Sequence, residues 1–138
     1  MSNATAVQTV QDGPFNTILK LTGKLDTSDQ AYTIIADPAT LSTITTNGTT
    51  RATLLRVMDI DANVEDGLTV SLWWDTDGTI GNAKLIEDIN GRLNMHYRKI
   101  GGLTNNATNP TGKIALSTEG WATGIILSYS IILEMVKY

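Results

Sequence analysis

The sequence predicts an all-β domain, an antiparallel β-sandwich of jelly-roll type with about eight strands. Three observations predict it. Threonine fits a pleated, half-buried surface and is poor inside helices, and it fills 21 of 138 positions. Turn signals recur at spacings of mostly 8 to 13 residues: Asp12-Gly-Pro14, Gly23, Asp37-Pro38, Asn47-Gly48, Asp66-Gly67, Asp77-Gly78, Asn90-Gly91, Gly101-Gly102, Asn109-Pro-Thr-Gly112 and Glu119-Gly120. Between them the apolar residues alternate with period two, as in strands with one buried face.

In chain order, residues 1–15 read as a polar N-terminal arm and residues 16–138 as a single sandwich domain. Thr17 to Thr22 and Tyr32 to Ala36 are short strands, and Pro38 to Thr43 is a short helical turn. Arg51 to Ile60 is a longer strand, with Leu55 and Val57 facing away from Leu54, Arg56 and Met58. Leu68, Val70, Leu72 and Trp74 alternate with Thr69, Ser71, Trp73 and Asp75, giving one apolar and one mostly polar face. Ala83 to Ile89 and Arg92 to Tyr97 flank Asn90-Gly91, the strongest two-residue hairpin signal in the chain. Lys113 to Thr118 is the next strand, and Trp121 to Leu127 allows a helical start. In the last segment Tyr129, Ile131, Leu133 and Met135 share one face, and Ser130, Ile132, Glu134 and Val136 the other. The chain stops on a strand-like residue, which predicts a C-terminus sewn into a sheet rather than a loose polar tail.

Composition narrows the function classes. A chain of 138 residues with 41% hydrophobic residues fits one folded domain with a real core. It has no apolar run of about 18 residues, so no transmembrane helix is expected, and its start does not resemble a signal peptide. Asn3-Ala-Thr5, Asn47-Gly-Thr49 and Asn106-Ala-Thr108 match the glycosylation pattern and read as chance in a chain rich in Asn and Thr. The absence of cysteine removes disulfides, thiolate zinc sites and cysteine nucleophiles. A net charge of −4 argues against nucleic acid, whose binding rests on Lys and Arg at phosphates.

The charges are segregated. Val57 to Ala83 holds Asp59, Asp61, Glu65, Asp66, Asp75 and Asp77 with no Lys or Arg, whereas Arg92 to Lys99 holds Arg92, His96, Arg98 and Lys99 with no acid. These segments read as solvated surfaces or, in a sharper form, as complementary patches meeting between subunits. Asp59-Ile-Asp61-Ala-Asn63 opens like an EF-hand, but Val64 stands where the loop needs Gly and Val70 where it needs Glu. Asp75-Thr-Asp77-Gly78 reads as a turn whose carboxylates cap backbone amides, not as a glycosidase pair. His96 is the only histidine and lies in a strand-like run, with no Gly-x-Ser-x-Gly in the chain, so no serine triad is expected. Trp74 belongs with the core face. Trp73 points the other way, toward a protein partner or a sugar ring, or beneath a covering segment, and Trp121 is a loop anchor or an exposed contact.

The run Gly101-Gly-Leu-Thr-Asn-Asn-Ala-Thr-Asn-Pro-Thr-Gly-Lys-Ile-Ala-Leu-Ser-Thr118 leads through a turn with Gly and Trp to Tyr129-Ser-Ile-Ile-Leu-Glu-Met-Val-Lys-Tyr138. It resembles small virion proteins of tailed bacteriophages, of the capsid decoration or cement type. There, too, a Pro-Thr-Gly turn leads to a short strand and a Tyr-x-x-x-Leu-x-x-x-Lys strand closes the chain. The likeness covers roughly residues 90–138, with support from the Trp73-Trp74-Asp75 strand. It implies a non-enzymatic structural protein, made in the host cytoplasm, that stabilises the virion head by bridging capsomers on the capsid surface. The implied partners are the major capsid protein and copies of itself, as dimer or trimer, with no cofactor, nucleic acid or membrane. The expected contacts are Val7, Val10 and Phe15 of the arm, Trp73, Trp121, and the basic Arg92, Arg98 and Lys99. The alternatives are a tail, neck or head-fibre component and, from another class, a carbohydrate-binding β-sandwich.

Overall fold

The computed structural model describes residues 3–13, 15–40, 44–45, 49–50 and 54–138. Outside them fall the first three residues of the expected strand Arg51–Ile60, the end of the expected helical turn (41–43), the Asn47-Gly48 turn, Met1, Ser2 and Pro14. The chain forms β1 (Ala4–Asp12), β2 (Asn16–Leu25), β3 (Thr33–Ala36), β4 (Ile44–Thr45), β5 (Thr49–Thr50), β6 (Leu55–Val64), β7 (Thr69–Trp74), β8 (Lys84–Ile89), β9 (Arg92–His96), β10 (Ile114–Glu119) and β11 (Leu127–Lys137). Single-turn 3₁₀ helices lie at Pro38–Thr40, Ile80–Asn82 and Tyr97–Ile100. Among the described residues no helix is long and apolar enough to cross a membrane.

The fold is an antiparallel β-sandwich. One sheet has the order β1-β2-β11-β6-β9 and the other β3-β10-β7-β8, with β4 and β5 as a separate ribbon. The pairings are nested: β7 pairs with β8, β6 with β9, β3 with β10, and β2 with β11. The chain thus runs as a long double ribbon whose innermost turn joins β7 to β8.

Alternation fills the space between the sheets. Leu19, Leu21 and Leu25 of β2, Leu55, Val57, Ile60 and Ala62 of β6, and Ile131, Leu133 and Met135 of β11 are buried from one side. Val70, Leu72 and Trp74 of β7, with Ile114 and Leu116 of β10, meet them from the other. Each of the buried Leu, Ile, Val and Met side chains contributes about 1.5–3 kcal/mol relative to exposure. In β6 the alternation changes phase at Met58, where the pairing with β11 slips between Glu134 and Met135 and returns Ile60 to the core side. Burial pushes the Tyr129 hydroxyl, bonded to Gln30, up to about 12.

The C-terminus is sewn in, as expected. β11 lies between β2 and β6, and Tyr138 and Leu54 exchange both backbone hydrogen bonds at 2.9 and 3.0 Å.

Three expectations change. The polar segment read as an arm is, over Ala4–Asp12, the edge strand β1, paired with β2 and exposed along most of its length. The Asn90-Gly91 turn does not close a hairpin. β8 pairs with β7 in one sheet and β9 with β6 in the other, so the turn carries the chain across the sandwich. Trp121 to Leu127 is not helical. It is a loop with one turn, in which the Ile125 N–H bonds the Ala122 carbonyl, and Trp121 donates Nε1–H to the Ile125 carbonyl at 3.0 Å.

Both ends of β1 are clamped. Asn3 Oδ1 accepts from the Asp26 and Thr27 amides at 2.8 and 3.0 Å, and its Nδ2 donates to the Ser28 carbonyl at 3.0 Å. At the other end the buried Lys137 ammonium bonds the Asp12 carboxylate, and the Gly13 carbonyl at 2.6 Å.

Gly120 closes the β10–β11 connection at φ +106, where a Cβ would stand 2.2 Å from the Gly67 carbonyl oxygen. Gly124 has φ +89, but nothing lies within 4 Å of a Cβ there. Gly124→Ala should cost about 1–2 kcal/mol from backbone strain alone. Gly120→Ala should cost at least about 2 kcal/mol more, because backbone must also move. Urea unfolding of the two variants measures the difference, and equal midpoints would show that the close approach is relieved without cost.

Candidate functional site

The outer face of the five-stranded sheet is built from cross-strand rows. Gln11, Ile18, Glu134, Asp59 and His96 stand in register on β1, β2, β11, β6 and β9. The neighbouring row is Gln8, Lys20, Ile132, Asp61 and Asn94. Between the rows lies a shallow depression of about 250 Å³, lined among others by Ile18, Ile132, Asp61 and Asn94.

An ion cluster borders it. Asp59 Oδ1 is 2.9 Å from His96 Nδ1, Asp59 Oδ2 is 2.9 Å from Arg98 Nε, and Arg98 Nη2 also bonds Glu134. Burial pushes the Asp59 carboxyl up, but its hydrogen bonds to His96 and Arg98, with the Arg98 charge, outweigh this and leave it below its ordinary value. Glu134 and Asp59 in turn hold the Arg98 guanidinium even more firmly charged. The acidic and basic segments therefore meet within one chain, because β6 and β9 are neighbours. Arg98 is occupied at home by Asp59 and Glu134. Arg92 and Lys99 stand exposed on β9 and the turn after it, with no ion-pair partner among the described residues.

Asp75 and Asp77 have structural roles. Asp75 is buried; its Oδ1 accepts from the Tyr32 hydroxyl at 2.6 Å and the Gly78 amide at 3.0 Å, and its Oδ2 from Thr111 Oγ1 at 2.8 Å. Burial raises the Tyr32 hydroxyl, and its bond to Asp75 raises it further. Asp77 Oδ1 accepts from the Thr79 amide at 3.0 Å, and Asp77 is held below its ordinary value by Thr79 and Asn82. These are the turn-capping carboxylates that the sequence predicts. Asp59, Asp61 and Asn63 lie in extended β6, a shape different from a calcium loop.

The outer face of the four-stranded sheet carries an apolar row. Ile34, Ala115, Trp73 and Leu85 are in register across β3, β10, β7 and β8. Trp73 is half-buried: its Nε1–H reaches along β10 to Ser117 Oγ at 3.0 Å, and the adjacent Ala115 is fully buried. Leu85 and Ile34 are exposed by 42% and 37%. Trp74 is in the core, as expected.

The remaining expected contacts do not converge on this row. Val7 and Val10 lie on β1 and Phe15 in the turn before β2, all about half exposed. Trp121 anchors its own loop, its amide bonded to Asp29 and its indole to Ile125, whereas Ile125 and Ile126 project. Sequence reasoning missed Ile34 and Leu85, whose alternation signal is short, and missed Glu134 as the second partner of Arg98.

No family model, curated protein or solved structure matches this chain.

The ion cluster predicts the acid limb of stability. The folded-state value of Asp59 is depressed. Its contribution is therefore fully present above the ordinary value of 3.8 and is lost as pH falls through the depressed one. Asp59→Asn should lower stability at neutral pH and flatten the fall below pH 3.8. Thermal melts of both proteins across the acid range measure this, and parallel curves would remove Asp59 from the acid response.

Proposed function

We propose that this chain is a non-enzymatic virion structural protein of jelly-roll wiring, which binds the outer surface of a phage head and bridges its capsomers. The nested pairing supports the jelly-roll part of this reading: eight strands pair first with last and inward to the middle, then roll into two four-stranded layers, with β1 added at one edge. The observation that carries the virion part is where the resemblance falls. The stretch that resembles decoration proteins, roughly residues 90–138, supplies the edge strand β9 and the inner strands β10 and β11, one inner strand in each sheet, so the likeness reaches the frame of the fold.

The apolar row through Ile34, Trp73 and Leu85 is the face proposed to meet the capsid. An aromatic residue flanked by exposed aliphatic ones is the composition of an interface centre. A shell repeats each contact many times, so a modest interface suffices. Binding stabilises the shell by its preference for the mature lattice over the alternatives.

Co-sedimentation with phage heads lacking the protein tests this reading. Saturable binding at a fixed ratio to the major capsid protein is expected, and Leu85→Glu should weaken it at least about tenfold, or about 1.4 kcal/mol, without changing the β circular dichroism signal. Absence of binding at any salt concentration would overturn the reading. Glycan binding lost on Trp73→Ala would replace it with the sugar-binding one.

A further inference from the structure

Among the described residues the two sheets of the sandwich have four edges, and three are guarded. β8 carries Lys84, Glu87 and Asp88. β9 carries Arg92 and His96 and runs directly into a 3₁₀ turn. β3 is four residues long, and its pairing with β10 is irregular. Charge, shortness and irregularity are the devices by which proteins keep sheet edges from pairing with other chains.

β1 has little of this. It is nine residues long, and from Ala4 to Gln11 it has neither a charge nor a proline. Its one irregularity is the slip between Thr9 and Gln11, which leaves Ala4–Thr9 as a regular strand. Among the described residues it pairs with β2 on one side only and ends the sheet on the other. Its inward-facing Thr5, Val7 and Thr9 stand opposite Gly23, Leu21 and Leu19, yet they are exposed. Val7 is 49% exposed, beside a small cavity of about 90 Å³ that Leu21, Ile35 and Tyr129 also line.

We propose that two copies of this chain join edge to edge through β1, antiparallel, about a two-fold axis perpendicular to the sheet. The two five-stranded sheets then become one continuous sheet. Such an axis keeps inner faces with inner faces, so opposite residues must share a side. With the slip at Val10 limiting the usable strand, the register that fits is Val7 opposite Val7, Thr5 opposite Thr9 and Ala6 opposite Gln8. It uses the open backbone edge of β1 once in each copy, so the assembly closes as a dimer. The apolar side chain of Val7, open to water in one copy, meets its symmetry mate. This inference rests on β1 alone and is independent of head binding, because its test needs only the protein itself.

The chain has no cysteine, so single-cysteine variants of the full chain report proximity cleanly. Sedimentation equilibrium should give a dimer. Under mild oxidation Val7→Cys should link into a covalent dimer, because directly opposite Cβ atoms lie about 4.5–5.5 Å apart. Gln8→Cys, displaced along the strand from its mate, and Leu85→Cys on the β8 edge should link far less. Val7→Lys should sediment as a monomer with an unchanged β circular dichroism signal. A monomeric wild type, a dimer that survives Val7→Lys, or cross-linking at Leu85→Cys equal to that at Val7→Cys would each overturn the proposal.

Discussion

The fold depends on the seat of β11. This strand pairs with β2 along Leu127–Val136 and with β6 along Tyr129–Lys137, and sends Tyr129, Ile131, Leu133 and Met135 into the core. Without it β2 and β6 would face a gap, and the five-stranded sheet would fall into two pieces. Every row on the outer face passes through it, including the one that brings Glu134 to Arg98. These pairings span most of the chain, so the sheet closes by long-range contacts, which are slow to form but bind the two ends of the chain into one cooperative unit.

The two outer faces have different chemistry. On the five-stranded side, acids from β6 and β11 are answered by His96 and by Arg98 in the turn after β9. Such exposed pairs add little stability singly, but they leave the face locally neutral and wettable. On the four-stranded side, apolar side chains stand in line with an indole pinned along β10. The domain is therefore two-sided: one outer face carries an ion cluster, and the other an apolar row.

Much of this was legible because strand alternation is a local signal. Leu68 to Trp74 and Tyr129 to Met135 each place a side chain on the core side at every second residue, and all of these are buried. The errors arise where the deciding fact is not local. Asn90-Gly91 says that the chain turns, but not which sheet receives the returning strand. β1 is exposed on both faces, so its sequence lacks the alternation that marks a strand and looks like an arm. The acidic and basic segments were visible as opposites, yet only the β6–β9 pairing shows that they meet within one chain. The alternation places Trp73 on the outer face, but its bond to Ser117 depends on β10, distant in sequence.

The clamps on β1 bear on entropy. A free N-terminal arm must surrender backbone freedom, about 1–2 kcal/mol for each residue fixed, before it can hold another chain. Here Asn3 at one end and Lys137 at the other have already fixed the strand within the monomer. A strand arriving alongside meets a preformed edge, and its hydrogen bonds are not offset by the ordering of β1. The segment resembles a disordered tail in composition, but Asn3 and Lys137 hold it as an ordered strand edge.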